Sequence, residues 1–172
     1  MPRSWVPASK TEIYRFNPLV LILSPLLALV IQTWLPLYIN AVTLLDLPLL
    51  VVIYFGLARR NPMEGIFGGA VIGMAQDALS RGPIGLLGSA KTVIGYVTSF
   101  VSVRFAVEHR SVRAATIFSL YYLHFFMLYF FGTLMLGQPL ALVWANRIVA
   151  ALVNTVVGVL VFELLDRFRK PA

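Results

Sequence analysis

Six apolar runs follow one another along the chain, and each is long enough to cross a bilayer as a helix. They cover residues 17–37, 41–58, 63–80, 83–103, 112–136 and 140–166, and charged residues or Gly and Pro separate them. A membrane-spanning helix needs about 20 predominantly apolar residues. The pattern therefore predicts an all-α, polytopic membrane protein with six transmembrane helices joined by short turns.

The composition agrees with a membrane protein that has no separate soluble domain. Of the 172 residues, 59% are hydrophobic and only 12% are charged, whereas about 25% of the residues in a soluble domain are charged. We expect a cytoplasmic N-terminal segment at residues 1–16, a single six-helix transmembrane domain at 17–168 and a cytoplasmic C-terminal tail at 169–172. The first apolar run lacks a small-residue cleavage site, so we expect it to remain as an anchor.

Basic residues cluster in alternate turns, and this clustering predicts the orientation of the helices. Eleven of the fourteen lie in the N-terminal segment, in the second and fourth turns and near the C-terminus: Arg3, Lys10, Arg15, Arg59, Arg60, Arg104, Arg110, Arg113, Arg167, Arg169 and Lys170. Cytoplasmic loops retain Lys and Arg, so we expect both termini in the cytoplasm. The net charge of +7 does not indicate nucleic-acid binding, because such proteins gather their bases on one surface with interleaved aromatics.

The charged residues Asp46, Asp77, Lys91 and Arg147 fall inside the apolar runs, away from the basic turns. A charge at the bilayer centre costs at least about 2.5 to 3.5 kcal/mol, so each is expected to have a partner. The helical rise places all four in the outer half of the membrane, which predicts a shared polar cluster with Lys91 or Arg147 as the partner of Asp77. The cluster can be structural or can recognise a ligand or partner. Asp46, followed by Leu47-Pro48, also has the form of a helix N-cap.

A stripe of glycines marks one side of the third predicted helix. Gly65, Gly69 and Gly73 recur every four residues and lead to Asp77 on the same face. Such a stripe lets another helix backbone approach closely, so we expect Asp77 to face protein and the stripe to serve packing more than ligand binding. The fourth helix offers a matching face of small and polar residues: Gly85, Gly88, Ser89, Lys91, Thr92, Gly95, Thr98, Ser99 and Ser102.

Residues typical of catalysis, metal binding or cofactor binding are sparse. The chain has no Cys and two His, and neither a nucleophile elbow nor a phosphate-binding loop occurs. His124 lies among aromatic residues of the fifth helix without a second His or carboxylate placed for a metal site, so we interpret it as a buried packing residue. We therefore expect no catalytic residues, no metal and no cofactor.

The order of the motifs in residues 45–100 resembles the rod shape-determining protein MreD family. An Asp opens the second helix, Tyr and paired basic residues close it, and a Gly-rich third helix leads to Asp77. The motif then continues with Pro83, Gly85, Leu86, Gly95 and Tyr96. This match covers about a third of the chain, and the length and six-span layout are also similar. Met74-Ala75-Gln76 departs from the Leu-rich segments that the family often has at this point.

The resemblance implies a non-enzymatic component of the bacterial cell-elongation machinery in the inner membrane. It implies binding to MreC, an association with the RodA glycosyltransferase and its penicillin-binding transpeptidase, and an indirect link to the MreB filament. It also implies a fold similar to the substrate-binding S component of energy-coupling-factor transporters. An S component that captures a vitamin or metal ion is accordingly the alternative function. Membrane lipid is a further expected partner, whereas nucleic acid is not expected to bind.

Overall fold

The computed structural model describes residues 14–16, 18–80, 82–104, 109–137 and 144–171. These residues form six α-helices: α1 (Pro18–Trp34), α2 (Leu47–Arg59), α3 (Pro62–Leu79), α4 (Leu86–Arg104), α5 (Arg110–Leu136) and α6 (Trp144–Asp166). Five of the six, all but α3, fall in segments long and apolar enough to cross a membrane. The prediction of a helical, multi-pass membrane protein is confirmed.

The lower hydropathy of α3 follows from its own sequence. Its 18 residues include four glycines together with Glu64, Gln76 and Asp77. Glycine and polar residues reduce mean hydropathy, although they also give this helix a face that packs against protein. The length of α3 and its buried face show that it belongs to the helical bundle. Its hydropathy alone is too low to identify it as a membrane-spanning helix.

The second apolar run is not one continuous helix. A short 3₁₀ helix covers Asn40–Leu44, and α2 begins only at Leu47. Asp46 ends the irregular stretch because its carboxylate Oδ1 accepts a 3.0 Å hydrogen bond from the Leu49 amide, with Pro48 in the first turn. The N-cap interpretation of Asp46 is confirmed, and the predicted helix over 41–58 starts six residues too early.

The central helices are α2 and α4, and the others pack around them. Most of α2 is buried on every side, and its side chains meet those of α4, α5 and α6 in the main hydrophobic core. The fully buried members of that core include Leu49, Leu50, Ile53, Ile94, Ile117 and Ala151. By contrast, α1 keeps most of its large apolar side chains exposed, as expected of a helix on the lipid-facing side of a bundle.

One end of the bundle carries the basic turns, and we call it the basic end. Here the Arg113 guanidinium at the start of α5 donates a 2.6 Å bond to Asp166 at the end of α6. The Tyr54 hydroxyl of α2 donates to the same carboxylate at 3.0 Å. These contacts join three helices at one level of the bundle.

The segments that precede α1 and follow α6 pair with each other at the basic end. Strand β1 (Tyr14–Phe16) pairs antiparallel with strand β2 (Arg169–Pro171), with Arg15 opposite Lys170. The hydrophobic pattern did not predict this ribbon, because three-residue strands are too short to produce a period. The ribbon brings the segments before α1 and after α6 together at one end of the bundle.

Candidate functional site: the polar groups of the bundle interior

Three of the four charged groups of the predicted cluster form two separate arrangements, and Arg147 belongs to neither. The first is an ion pair between α4 and the start of α2. The Lys91 ammonium donates a 2.7 Å hydrogen bond to Asp46 Oδ2. The Lys91 side chain has no exposed surface, while that of Asp46 is 17% exposed. The pair therefore lies inside the protein, and Asp46 holds both the first turn of α2 and the only lysine of α4.

Two amide side chains fix the backbone around this ion pair. Asn154 of α6 accepts a 2.9 Å bond from the Asp46 amide and donates a 2.7 Å bond to the Leu44 carbonyl. Gln32 of α1 donates to the Leu45 carbonyl at 2.8 Å and accepts from the Leu47 amide at 3.0 Å. Backbone groups in an apolar interior need such partners when regular helix bonds are missing. The segment before α2 is thus held from α1, α4 and α6.

The second arrangement is a cap formed by Asp77 on the N-terminus of α4. Asp77 is 2% exposed. Its carboxylate accepts from the amides of Gly85 at 2.9 Å, Leu87 at 3.0 Å and Gly88 at 2.9 Å. The first amides of a helix have no partners within the helix, and its dipole favours a negative charge there. This arrangement explains why a carboxylate lies among apolar residues at position 77.

The prediction that Lys91 or Arg147 binds Asp77 is wrong for the described residues. Lys91 is bonded to Asp46, although it remains near enough to Asp77 to interact electrostatically. The Arg147 guanidinium lies 4.5 Å from the centre of the Phe125 ring and beside the Tyr121 hydroxyl. Within the described part of the chain, the ion pairs do not include Arg147 or Asp77. The sequence did not predict this cap, because a carboxylate binds backbone amides as readily as it binds basic side chains, and the sequence alone does not distinguish the two.

His124 is buried beside the Asp46–Lys91 pair. It is 3% exposed, and it interacts electrostatically with both charged groups. Its Nε2 has no hydrogen-bond partner among the described residues. No group of three or more potential metal ligands occurs in the described part of the chain. The prediction that His124 is buried within the bundle is therefore confirmed.

The glycine stripe packs directly on the backbone of α4. A Cβ added to Gly73 would lie 2.6 Å from the Leu87 carbonyl oxygen, and one added to Gly69 would collide with the Lys91 carbonyl. Gly65 and Gly95 face each other in the same way, each against the other's carbonyl group. The predicted close approach of two backbones is confirmed. The stripe and Asp77 together set the register between α3 and α4.

The remaining residues of the family motif form the turn into α4 and one of its faces. Gly85 has φ of 95°, a left-handed conformation that favours glycine. Its amide donates one of the hydrogen bonds that the Asp77 carboxylate accepts. Leu86 opens α4 and is buried, whereas Pro83 is exposed in the turn. Tyr96 is exposed and stacks on Phe100 with ring centres 6.2 Å apart. Gly95 and Asp77 therefore act in packing, while Tyr96 faces the surroundings of the bundle.

Sequence reasoning missed the roles of Gln32, Tyr54 and Asp166. Each of these side chains forms a hydrogen bond with a residue more than ten positions away in the sequence. A lone amide in an apolar run was the only signal for Gln32, and a charge at the end of the last run was the signal for Asp166. Neither signal identifies a partner.

Comparison of the chain with models of known protein families, with characterised proteins and with solved structures finds no significant match. The site must therefore be interpreted from its own chemistry. Asp46, Lys91, Asp77, Asn154 and Gln32 form bonds that end on one another or on backbone groups. Such an arrangement fixes helix positions, and it leaves few free polar groups for binding a solute.

Proposed function

We propose that the chain is a non-enzymatic membrane scaffold of the bacterial cell-elongation machinery, which binds MreC and links it to the cell-wall synthase. This role is the one implied by the resemblance to the MreD family, whose motifs occur in the same order from Asp46 through Asp77 to Gly95-Tyr96. Its setting is the bacterial inner membrane, with both termini and the basic end in the cytoplasm. The distribution of basic residues favours that orientation.

The observation that carries the proposal is the internal use of the polar groups within the bundle. Lys91 is fully buried and bonded to Asp46, and the Asp77 carboxylate is occupied by three backbone amides. A solute carrier needs convergent polar groups that face a cavity. Here these groups hold helices together, as suits a protein whose outer surfaces do the binding.

The alternative is an S component of an energy-coupling-factor transporter, which would share the implied fold. One feature favours it: Asp46, Lys91 and Asp77 lie away from the basic end, on the side from which a solute would arrive. His124 adds a buried Nε2 without a partner next to Asp46 and Lys91. This alternative requires the Asp46–Lys91 bond to open when the solute binds.

Affinity purification from the native membrane tests the proposal. A tagged copy, expressed at its natural level in a rod-shaped host, should retain MreC and the RodA synthase after solubilisation in a mild detergent. Depletion should produce rounded cells with disordered wall insertion. Recovery of a transporter ATPase pair, with normal cell shape on depletion and a tightly bound small molecule, would contradict the scaffold and support the S component.

The Asp77→Ala variant links the test to the structure. It removes the cap of α4 and should reduce recovery of MreC together with the yield of folded protein. An exposed change of similar size, Val71→Ala, leaves the α3–α4 contact intact because Val71 is 61% exposed. Equal recovery of MreC from both variants would mean that the α3–α4 pair is not needed for the complex.

A further inference from the structure

Arg147 lies near the start of α6 and faces the interior of the bundle. Ala150 and Ala151 follow it by three and four positions on the same helix face, and both are buried. Ile148 and Val149, on the other faces of α6, are about half exposed. The Arg147 side chain therefore leaves α6 on the side that packs against protein.

The Arg147 guanidinium extends toward the middle of the bundle. Arg113 and Asp166 pair at the basic end, Phe125 follows Arg113 by 12 residues in α5, and Arg147 precedes Asp166 by 19 residues in α6. At 1.5 Å per residue, the Arg147 backbone is about 10 Å farther from the basic end than the Phe125 backbone. The guanidinium nevertheless lies 4.5 Å from the centre of the Phe125 ring and beside the Tyr121 hydroxyl. This direction is the reverse of the usual snorkelling of arginine toward water.

The acidic residues of the chain do not supply a counter-charge for Arg147. The ion pairs of the described residues do not include it. Asp46 is bonded to Lys91, and Asp77 is held by backbone amides of α4. Lys91 and Arg147 thus bring two positive charges to this part of the interior, and Asp46 neutralises one of them. The other five of the seven acidic residues are at the basic end, or two positions in sequence from an element that begins there: Glu12, Glu64, Glu108, Glu163 and Asp166.

Polar atoms near Arg147 have unused hydrogen-bonding capacity. A guanidinium has five N–H donors, and the Tyr121 hydroxyl can accept only part of them. His124, also on α5, is buried, and its Nε2 has no hydrogen-bond partner among the described residues. His124 interacts electrostatically with Asp46 and Lys91, as Tyr121 does with Asp46 and Arg147. The free donors therefore lie around Asp46, whose side chain is partly exposed.

The excess positive charge selects the class of ligand. A charge within the membrane is costly without a partner, and a neutral or cationic ligand would leave that of Arg147 in place. Guanidinium groups bind carboxylate and phosphate oxygens through two parallel N–H bonds. An oxyanion therefore fits both the missing charge and the unused donors.

We propose that Arg147 and His124 bind one oxyanion, a carboxylate or phosphate group, which enters from the end of the bundle opposite the basic end. Arg147 supplies the charge and a pair of N–H donors, Tyr121 holds the guanidinium, and His124 donates from Nε2. The Asp46–Lys91 bond and the cap formed by Asp77 stay closed. The site is independent of the scaffold role, because binding is measured on the purified chain without MreC.

Thermal unfolding of the purified full chain in dodecyl maltoside, followed by the fluorescence of its three tryptophans, tests the site. The probes are acetate and inorganic phosphate, each replacing chloride at constant ionic strength. A ligand that binds only the folded state raises the unfolding midpoint, so we expect a saturable rise in wild type. Arg147→Gln should weaken the apparent affinity about tenfold, the size expected for the loss of a hydrogen bond to a charged group. His124→Phe should weaken it less.

Arg104→Gln is the matched control. The Arg104 guanidinium also lies 4.5 Å from the centre of a phenylalanine ring, that of Phe100, but it is exposed at the basic end. The control removes the same charge and the same kind of ring contact, so it should leave the response to both probes unchanged. This comparison is needed because phosphate also stabilises folded proteins by exclusion from their surface.

Arg147→Lys keeps the charge without the planar fork of donors. It should retain a weakened response, and it keeps the test decisive if Arg147→Gln folds poorly. Without an added oxyanion, Arg147→Gln should be at least as stable as wild type, because it removes a charge that has no counter-charge.

Phosphatidylglycerol, added to the micelles without free anion, separates the two sources of an oxyanion. A response of wild type to acetate and phosphate shows that a soluble anion binds. A response to phosphatidylglycerol alone, lost in Arg147→Gln, would keep the site and assign the oxyanion to a lipid headgroup. The absence of a saturable response to all three probes in wild type, or an equal response in Arg147→Gln, would overturn the proposal. An equal loss of the response in Arg104→Gln would also overturn it.

Discussion

The Lys91 ammonium and the Asp46 carboxylate form a 2.7 Å ion pair that joins the second turn of α4 to the first turn of α2. Asp46 also caps α2 through the Leu49 amide, and its own amide donates to Asn154. One residue therefore connects α2, α4 and α6. In an apolar environment such a connection fixes the relative heights of the helices, because any vertical shift would separate the charges.

Lys91→Met should destabilise the folded protein strongly. Methionine has a similar length but no charge, so Asp46 would keep a carboxylate in the interior without its counter-charge. Loss of one partner of a buried ion pair costs about 3 to 5 kcal/mol. We expect the decrease in the free energy of unfolding, measured by denaturation in mixed micelles, to fall in this range.

The double variant Lys91→Met with Asp46→Asn provides the control. Asparagine still caps a helix N-terminus, and it removes the unpaired charge, so stability should recover by more than half. Arg110→Gln breaks an exposed pair with Glu163 and should cost at most about 1 kcal/mol. If the double variant is as unstable as Lys91→Met alone, the buried pair is not the source of the effect.

Asp77→Ala should destabilise the start of α4 without any compensation from Lys91. Alanine leaves the amides of Gly85, Leu87 and Gly88 without their acceptor. Asp77→Asn keeps one acceptor oxygen, so it should be clearly less harmful. Since hydrogen bonds to charged groups contribute about 1.5 to 3 kcal/mol each, we expect the alanine variant to be the less stable by at least about 1.5 kcal/mol.

The cap and an ion pair make opposite predictions for a second substitution. If Asp77 bound Lys91, Asp77→Ala with Lys91→Ala would recover part of the loss. Because Lys91 binds Asp46, we expect the double variant to be less stable than either single variant. Amide hydrogen exchange at residues 85–88 provides a local measurement, and it should accelerate in Asp77→Ala and remain near wild type in Lys91→Ala. Recovery in the double variant would refute the cap.

The hydrophobic pattern predicted the helices well because each of them must bury or expose an apolar surface along its whole length. The glycine stripe was equally informative, since its spacing of four residues places Gly65, Gly69 and Gly73 on one face whatever lies opposite. Position and periodicity are local properties, and the sequence contains them directly.

The partners of the polar groups could not be obtained in the same way. Asp77, Lys91 and Arg147 lie at similar predicted depths, so charge and depth alone allow several pairings. Whether Asp77 meets a base or an amide depends on the turn before α4, where the positive φ of Gly85 directs the backbone toward the carboxylate. The roles of Gln32 and Asn154 similarly depend on the irregular backbone before α2, which the apolar pattern does not reveal.

Orientation in the membrane can be tested with single cysteines, because the native chain has none. We expect Tyr38→Cys and Gly137→Cys, at exposed positions away from the basic end, to react with an impermeant thiol reagent in intact cells. His109→Cys and Met63→Cys, exposed at the basic end, should react only after the membrane is opened. Ala58, near the same end of α2, is not a suitable labelling position because its side chain is buried in the core. The reverse labelling pattern would place the basic end outside the cell.

The α3–α4 contact can be tested with one methyl group at neighbouring positions. Gly69→Ala adds a Cβ against the Lys91 carbonyl, whereas Gly68→Ala adds the same group where nothing lies within 4 Å. Overpacking typically costs about 1 to 3 kcal/mol, while alanine in a helix is favoured over glycine by up to about 1 kcal/mol. We therefore expect Gly69→Ala to lower the free energy of unfolding and Gly68→Ala to leave it unchanged or raise it.

The same pair of variants also reports on register. If α4 moves away to accommodate the methyl group of Gly69→Ala, the amides of residues 85–88 should exchange faster, because Asp77 and the stripe lie on one face of α3. Gly68→Ala should not change that exchange. Equal destabilisation by the two variants would show that the close approach at Gly69 does not hold α3 and α4 together, whatever the spacing of the stripe.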